Sequence, residues 1–330
     1  IVFIAEDNTT IRLSYAELKS QVASLASYLK NIGVTKGDKV AAYLPNTEKT
    51  IIALLATTSL GAVWSSCSPD FGVLGVVDRL SQVQPKVLFV TDEYLHKGKT
   101  FEMAEKNQAV LSVLGSVKAS IMMSLLNNDA SHSYTTDCFE NIQQEFAGSD
   151  LVFEQLDFNA PLYILFSSGT TGVPKCIVHG VGGTLLQHLK EHRLHLDLKP
   201  RERLFFATTC GWMMWNWMVS ALASGATLIL YDGAPLYPKR RRFFELIEAE
   251  RINVLGVSAK YIDVLRKANI SSEGYDLSSL KALLSTGSPL VPEAFDYVYE
   301  NIKEDVCLSS ISGGTDIVSC FVLGSNVLPV

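Results

Sequence analysis

Residues 162–175 read LYILFSSGTTGVPK, an apolar run followed at once by a loop of small residues. The apolar part, 162–166, is typical of a buried strand. The nine residues Ser167–Lys175 contain two glycines, four hydroxyl side chains and one lysine. Glycine lets the backbone curve closely around an anion, while hydroxyl and N–H groups donate hydrogen bonds to phosphate oxygens and the lysine supplies a countercharge. The stretch therefore predicts a phosphate-binding loop directly after a buried strand.

This loop is not a Walker A motif, because Lys175 lies three residues after Gly172 and is not followed by Ser or Thr. The alternative is a flexible surface loop rich in Ser, Thr and Gly, but such a loop rarely shows this residue order after a buried strand. We predict that the phosphate-binding residues are Ser167, Ser168, Gly169, Thr170, Thr171, Gly172 and Lys175.

Strand-like and helix-like patterns alternate on both sides of this loop. A capping box at Ser14–Glu17 predicts the start of one helix. Alternation favours an α/β fold with two lobes of mostly parallel sheet covered by helices, and we place the lobes at 1–150 and 151–330. Strands are predicted at 39–44, 62–65, 86–90, 162–166, 204–207, 227–231, 253–257, 281–284 and 306–309, and helices at 48–59, 73–83, 243–250 and 292–302.

Composition excludes several classes of protein. The 330 residues carry a net charge of −6, and no basic run exceeds 239–242, so a nucleic-acid surface is not expected. Two stretches without charged residues, 50–69 and 204–231, are interrupted by Gly and polar residues. We interpret them as buried α/β core and expect no membrane span.

The six cysteines are scattered and form no CxxC pair, which argues against a disulfide framework and a paired zinc site. Reduced thiols in the cytosol are the expectation. His188, Glu191 and His192 fit the H-x-x-E-H pattern of inverted zinc peptidases, with His195 on nearly the same face. Charged residues are interleaved with this pattern, so we favour a solvated helix face over a zinc site.

The nonapeptide 167–175 resembles the signature loop of the adenylate-forming superfamily, which includes acyl- and aryl-CoA synthetases, luciferases and peptide-synthetase adenylation domains. The resemblance implies that the loop binds the β- and γ-phosphates of ATP. The superfamily usually has Gly after the Lys, where this chain has Cys176.

Two later segments resemble superfamily motifs in the expected order. The segment Gly287, Ser288 and Pro289 resembles the loop that lines the adenine pocket, although alone it would read as a plain turn. The segment 312–316 resembles the aromatic-Gly-x-Thr-Glu motif. The resemblance implies that Thr315 contacts the AMP phosphate and that Asp316 helps hold Mg²⁺, since a carboxylate is a good ligand for this ion.

Within the superfamily, the segments 178–183, 211–212 and 225–238 resemble the branch of acetyl-CoA and acetoacetyl-CoA synthetases. The acetate enzymes close the acyl pocket with Trp two positions before the motif Thr, where this chain has Gly313. The resemblance implies room for a longer acid, lined by Trp212, Met213, Met214 and Gly313. An ordinary core helix is the alternative for the Trp- and Met-rich part.

The resemblance therefore implies ATP-dependent activation of a short-chain acid, with acetoacetate preferred, to an acyl-adenylate and then to acyl-CoA. ATP, Mg²⁺ and coenzyme A are the implied small-molecule partners. An acetyl, propionyl or other short-chain acyl-CoA synthetase is an alternative. So is a non-catalytic nucleotide-binding module. The superfamily's mobile lid is not found before Val330, and we expect this chain by itself to turn over little acyl-CoA.

Overall fold

The predicted alternation of strands and helices is present in the computed structural model, which describes residues 1–126, 133–167, 172–328 and 330. The strands are β1 Val2–Ala5, β2 Thr10–Arg12, β3 Lys39–Tyr43, β4 Val63–Cys67, β5 Val87–Val90, β6 Glu93–His96, β7 Lys99–Glu102, β8 Ala119–Met122, β9 Asp137–Cys138, β10 Pro161–Ser167, β11 Lys175–Gly180, β12 Arg203–Phe206, β13 Thr227–Asp232, β14 Val254–Ser258, β15 Ala282–Thr286, β16 Cys307–Ser310, β17 Ser312–Gly314 and β18 Ser319–Val322.

The helices alternate with these strands along the chain. They are α1 Tyr15–Asn31, α2 Glu48–Ser59, α3 Val73–Val83, α4 Ala104–Val113, α5 Phe139–Glu145, α6 Val181–Lys190, α7 Met213–Ser220, α8 Arg242–Glu250, α9 Ala259–Lys267 and α10 Pro292–Asn301. A π-helical turn, Glu191–His195, continues α6, and a 3₁₀ turn, Ala221–Ser224, continues α7.

The chain divides into two compact units, each with its own large sheet. Unit 1 consists of Ile1–Ile11, Leu185–Thr208 and Trp212–Val330, and unit 2 consists of Arg12–Thr184 and Thr209–Gly211.

These limits differ from the boundary placed near Asp150 by the sequence. Strand β10 pairs in parallel with β4 through Tyr163 and Trp64, and β11 pairs with β10. The residues that follow Asp150 therefore stay with unit 2 as far as Thr184. Conversely, β1 pairs with β13 and brings Val2–Ala5 into unit 1. Pairing between strands distant in sequence, rather than a linker composition, sets these limits.

Unit 1 contains a sheet that, in the described residues, has seven strands in the order β16-β15-β14-β12-β13-β1-β2. The strands from β16 to β1 are parallel to their neighbours. Helices α8, α9 and α10 contribute apolar side chains to a core with these strands. Phe243 of α8 packs edge-on against Phe205 of β12, with ring centroids 5.0 Å apart. Such packing explains why the strands read as unbroken apolar runs.

Unit 2 contains a second seven-stranded sheet within the described part of the chain, in the order β11-β10-β4-β3-β5-β8-β9. The β10–β11 pair is antiparallel, and β10, β4, β3, β5, β8 and β9 are parallel to one another. Val76 and Leu80 of α3 pack with Ala41 and Leu88 of the sheet in its core. Mostly parallel sheets covered by helices confirm the predicted fold class.

The local signals in the sequence act as expected. Ser14 Oγ accepts a hydrogen bond from the Glu17 N–H at 3.2 Å, and the Glu17 carboxylate accepts one from the Ser14 N–H at 2.8 Å. The capping box predicted at the start of α1 is therefore confirmed. Among the described residues, no helix has the length and apolar character needed to cross a membrane.

Candidate active site

The predicted phosphate-binding loop joins β10 to β11 in unit 2. These strands pair antiparallel with Ser167 opposite Lys175, so the pairing fixes both ends of the loop. Gly172 has φ +153°, a conformation that favours glycine, and the Lys175 side chain is exposed. Gln82 Nε2 of α3 donates to the Pro174 carbonyl at 2.9 Å. The described residues do not include the central part of the loop, Ser168, Gly169, Thr170 and Thr171.

The predicted adenine-binding segment follows β15 in unit 1. Gly287, Ser288 and Pro289 are exposed. Gly287 has φ +88°, a backbone conformation that favours glycine at this position of the turn. Strand β16 lies beside β15 in parallel. The Ile311 N–H donates to the Ser285 carbonyl at 2.7 Å and continues this pairing just beyond β16.

The predicted catalytic segment lies on a hairpin made by β17 and β18. Thr315 and Asp316 occupy its turn, and the Asp316 side chain is exposed. The Val318 N–H donates to the Thr315 carbonyl at 3.2 Å and closes the turn. The segments 287–289 and 312–316 thus leave the carboxyl ends of neighbouring parallel strands, the edge at which α/β sheets bind ligands. Unit 1 brings these two predicted segments together, while the phosphate-binding residues belong to unit 2.

Gly313 lies where the two strands of this hairpin approach closely. A Cβ atom at this position would lie 2.3 Å from the Ser319 carbonyl oxygen and 2.8 Å from Cys320 Cα. Because both are backbone atoms, the hairpin itself requires glycine here. This packing reason competes with the predicted role of Gly313 in the acyl pocket, which stays a prediction.

The other predicted acyl-pocket residues lie at the start of α7. Met213 and Met214 are buried, with 8% and 6% of their surface exposed. Trp212 precedes the helix, is partly exposed, and packs edge-on against Phe206 with ring centroids 5.9 Å apart. Their burial fits a core helix as well as pocket lining, so their role also stays a prediction.

The expectation of a solvated helix face at 188–192 is wrong. His188 and His192 are fully buried, and Glu191 is only 1% exposed. These side chains face β17–β18 and α7, whereas Leu186, Arg193 and Leu194 are exposed. Buried polar groups usually need partners. His188 and Glu191 receive theirs from distant parts of unit 1, whereas neither ring nitrogen of His192 has a hydrogen-bond partner among the described residues.

Glu191 is the central acceptor of this buried network. Burial alone would raise the pKa of its carboxyl group, but the donated hydrogen bonds outweigh burial and hold the pKa below its usual value. The donors are Ser319 Oγ at 2.5 Å, Cys320 Sγ at 3.0 Å, Trp217 Nε1 at 2.7 Å and Gln187 Nε2 at 2.8 Å.

His188 bridges two further elements. Its Nε2 lies 2.6 Å from the Val318 carbonyl oxygen and its Nδ1 lies 2.8 Å from Ser220 Oγ. Because a carbonyl only accepts, Nε2 carries the proton in that contact. His195 Nδ1 lies 3.0 Å from the Gly324 carbonyl oxygen. Over the described residues, no group of three His, Cys, Asp or Glu side chains is placed to hold a metal ion.

Sequence reasoning did not identify the partners of this network. They are Gln187, Trp217, Ser220, Val318, Ser319 and Cys320. One signal was present: polar residues at positions 188, 191 and 192 share one helical face, and a buried Trp on another helix needs a partner for its indole N–H. The pairing of the two elements was not readable from spacing alone.

The whole architecture matches one family of proteins. The model of the AMP-binding enzyme family matches residues 1–321, and the chain therefore belongs to this family. Among curated proteins, it is 52% identical to "Acetoacetyl-coenzyme A synthetase" of Rhizobium meliloti (strain 1021), an alignment that covers 100% of this chain and 51% of that protein.

Two further similarities extend this result. The chain is 38% identical to "Malonamoyl-CoA synthetase vrtB" of Penicillium aethiopicum, covering 100% of the chain and 49% of that protein. The solved structure of acetoacetyl-CoA synthetase from Streptomyces lividans superposes with a TM-score of 0.93 at 40% identity, covering 100% of this chain and 51% of that one. The chain spans about half the length of the curated relatives it matches.

Proposed function

We propose that the protein carrying this chain is an acid–thiol ligase that activates acetoacetate with ATP and transfers it to coenzyme A. The observation that carries the proposal is the 52% identity, over the whole chain, to an acetoacetyl-coenzyme A synthetase. The family match over residues 1–321 supports the ATP-dependent part of this chemistry.

The proposed reaction has two steps, formation of an acyl-adenylate and transfer of the acyl group to a thiol. A carboxylate oxygen of the acid attacks the α-phosphorus of ATP, forming an acyl-adenylate and releasing pyrophosphate. The thiol of coenzyme A then attacks the acyl carbon, forming the thioester and releasing AMP. No side-chain nucleophile is required, so the work of the protein is to position the reactants and stabilise developing charge.

We assign the nucleotide contacts to two sets of residues. In unit 2, the loop that begins at Ser167 and ends at Lys175 receives the β- and γ-phosphates, with the Lys175 ammonium as countercharge. In unit 1, the exposed turn 287–289 lines the adenine pocket and Thr315 donates to the α-phosphate. Support comes from the exposure of Lys175 and of the turn 287–289, and from the shared strand edge that carries the two unit 1 segments.

Asp316 is the proposed magnesium ligand. Mg²⁺ in nucleotide sites is usually held by one or two carboxylates together with substrate phosphates and water. A single exposed carboxylate on the hairpin turn, next to the proposed phosphate contact Thr315, fits this mode of binding. When bound, the ion would neutralise charge on the phosphate oxygens.

We propose that Trp212, Met213, Met214 and Gly313 line the acyl pocket. The relatives support a pocket for acids longer than acetate, because one is named for acetoacetate and another for malonamate. The second name shows that the acyl group differs among relatives of this similarity. Another short-chain acid is therefore the alternative substrate. The proposal includes a cytosolic location, which the scattered reduced cysteines favour.

The test is acid-dependent exchange of labelled pyrophosphate into ATP by the protein that carries this chain. We expect kcat/KM to be highest for acetoacetate in a comparison with acetate, butyrate and malonamate. Lys175→Met should lower kcat/KM for ATP by about 10- to 100-fold, because it removes a charge from the phosphate site. Lys36→Met, a matched change at an exposed lysine of the same unit, should leave kcat/KM for ATP unchanged.

Other outcomes separate the alternatives. A preference for acetate would contradict the assignment of acetoacetate. Calorimetric binding of ATP without exchange for any acid would instead indicate a non-catalytic nucleotide-binding module.

A further inference from the structure

The turn of the β17–β18 hairpin contains a strained residue. Val318 has φ +50°, in the left-handed region, which a β-branched side chain rarely adopts. Such backbone conformations are energetically unfavourable and persist only where the surrounding structure holds them. Val318 lies two residues after Asp316 and closes the turn onto Thr315. What holds Val318 therefore also fixes the turn that carries Thr315 and Asp316.

The His188 side chain holds Val318 by a hydrogen bond to the Val318 backbone carbonyl. The imidazole Nε2 donates to the Val318 carbonyl at 2.6 Å, and both the His188 and Val318 side chains are buried. The other ring nitrogen contacts Ser220 Oγ at the end of α7, which fixes the orientation of the ring. The hydrogen bond therefore ties the strained residue to two helices.

Glu191 holds the next two residues of the hairpin. Its carboxylate accepts from Ser319 Oγ at 2.5 Å and from the Cys320 N–H at 3.3 Å, and the Trp217 indole N–H donates to it at 2.7 Å. Buried charge-assisted hydrogen bonds are stronger and more directional than neutral surface ones. Glu191 thereby fixes the start of β18 against α7.

Both groups come from one short region of helix. His188 lies in the last turn of α6, and Glu191 begins the π-helical turn 191–195. Single π-helical turns of this type are frequently found at functional sites. Three consecutive hairpin residues, 318–320, are thus bonded by two buried side chains that lie three positions apart.

We propose that His188 and Glu191, together called the 188–191 anchor, are positioning residues for the reaction. The anchor sets the position of Thr315 and Asp316 by holding residues 318–320 of the same hairpin, and so fixes where the phosphate contact and the magnesium ligand lie. This inference rests on the proposed function. Neither residue of the anchor touches the reactants.

The test compares variants of the anchor in the protein that carries this chain. Glu191→Gln replaces a carboxylate oxygen, which accepts hydrogen bonds, with an amide NH2 group that faces the donors of Ser319, Trp217 and Gln187. His188→Ala removes the hydrogen bond to the Val318 carbonyl. His188→Gln keeps a donor of similar reach and serves as the rescue variant. His195→Ala is the matched control, because His195 lies on the same turn and also contacts a backbone carbonyl, that of Gly324, but beyond the hairpin.

For Glu191→Gln and His188→Ala, we expect kcat for pyrophosphate exchange to fall about 10- to 100-fold, a loss typical of groups that orient a ligand. The Mg²⁺ concentration for half-maximal rate should rise, while KM for the acid stays the same. In the free protein, hydrogen exchange of the amides of 318–320 should become faster. His188→Gln should recover most of kcat, and His195→Ala should match the wild type.

A structural role alone predicts a different result. In that case the variants lower Tm and the fraction of active sites, but folded molecules keep the wild-type kcat and Mg²⁺ dependence, and this outcome overturns the proposal. If a variant fails to fold, Ser319→Ala, which removes one donor to Glu191, takes its place with the same expectation in weaker form. If the wild type shows no pyrophosphate exchange, the proposed function is contradicted instead. The anchor is still tested in that case, because unchanged hydrogen exchange of the amides of 318–320 in the variants would reject it.

Discussion

At the scale of the residue, His192 shows how strongly burial controls charge in this protein. Its side chain is fully buried and packs edge-on against Trp217, with ring centroids 4.3 Å apart. Burial, with a smaller contribution from the charge of His188, lowers the pKa of His192 to about 3. In the unfolded chain the pKa is about 6.5. Between these two values the unfolded chain binds more protons, so stability is lost as the pH falls from about 6.5 toward 3.

We therefore predict that His192→Phe removes part of the acid sensitivity. For the wild type, the two pKa values imply a loss of about 2 kcal/mol in the free energy of unfolding between pH 7.5 and pH 5 from this residue alone. The phenyl ring keeps the contact with Trp217 but does not titrate. Denaturant unfolding at both pH values measures the difference, with exposed His96→Phe as the control. An equal loss in wild type and His192→Phe would contradict the prediction.

At the scale of the element, regular segments were predictable where signals are local. The bounds of α2 and α3 coincide with the predicted 48–59 and 73–83, and the capping box at Ser14 starts α1 as predicted. In each case the apolar spacing lies within the helix, and the N-cap residue (Ser14, Thr47 or Gly72) directly precedes it. The strand before the phosphate-binding loop was predictable for the same reason.

Elements that depend on distant partners were not predicted. The β17–β18 hairpin contains Val318, which has a positive φ that β-branched residues rarely adopt, and its carbonyl is bonded by His188 of α6. Likewise, the face of His188 and Glu191 appeared solvated because charged residues are interleaved with it in sequence. The predicted site segments could be placed at strand ends, but the network behind them depends on tertiary pairing that spacing does not encode.

We predict that Ser14→Ala lowers the free energy of unfolding by about 0.5–2 kcal/mol, because it removes one half of the capping box of α1. Denaturant midpoints measure the change. The control is Ser20→Ala, at an exposed position inside the same helix, where alanine favours the helix by a few tenths of a kcal/mol. Equal destabilisation by both variants would show that the cap contributes nothing specific.

At the scale of the whole molecule, each of the two units has its own sheet, so we expect each unit to have its own free energy of local unfolding. Phe3 of β1 and Phe89 of β5 are both fully buried, one in each unit. We predict that Phe3→Ala costs about 3–5 kcal/mol and speeds hydrogen exchange in β13, while β3 keeps its protection. Phe89→Ala should show the reverse pattern. Uniform loss of protection in both units for either variant would contradict this prediction.

The pairing of β1 with β13 also has a consequence for synthesis on the ribosome. Val2–Ala5 can join its sheet only after Thr227–Asp232 has been made, because β13 is its parallel neighbour. At about 5–20 residues per second, those intervening residues take roughly 10–45 s to translate. Throughout this interval the apolar strand β1 lacks its parallel neighbour, while the segment 12–184 emerges and can complete its own sheet first. Translation speed and chaperone access in that window therefore bear on how much of the chain reaches the native state.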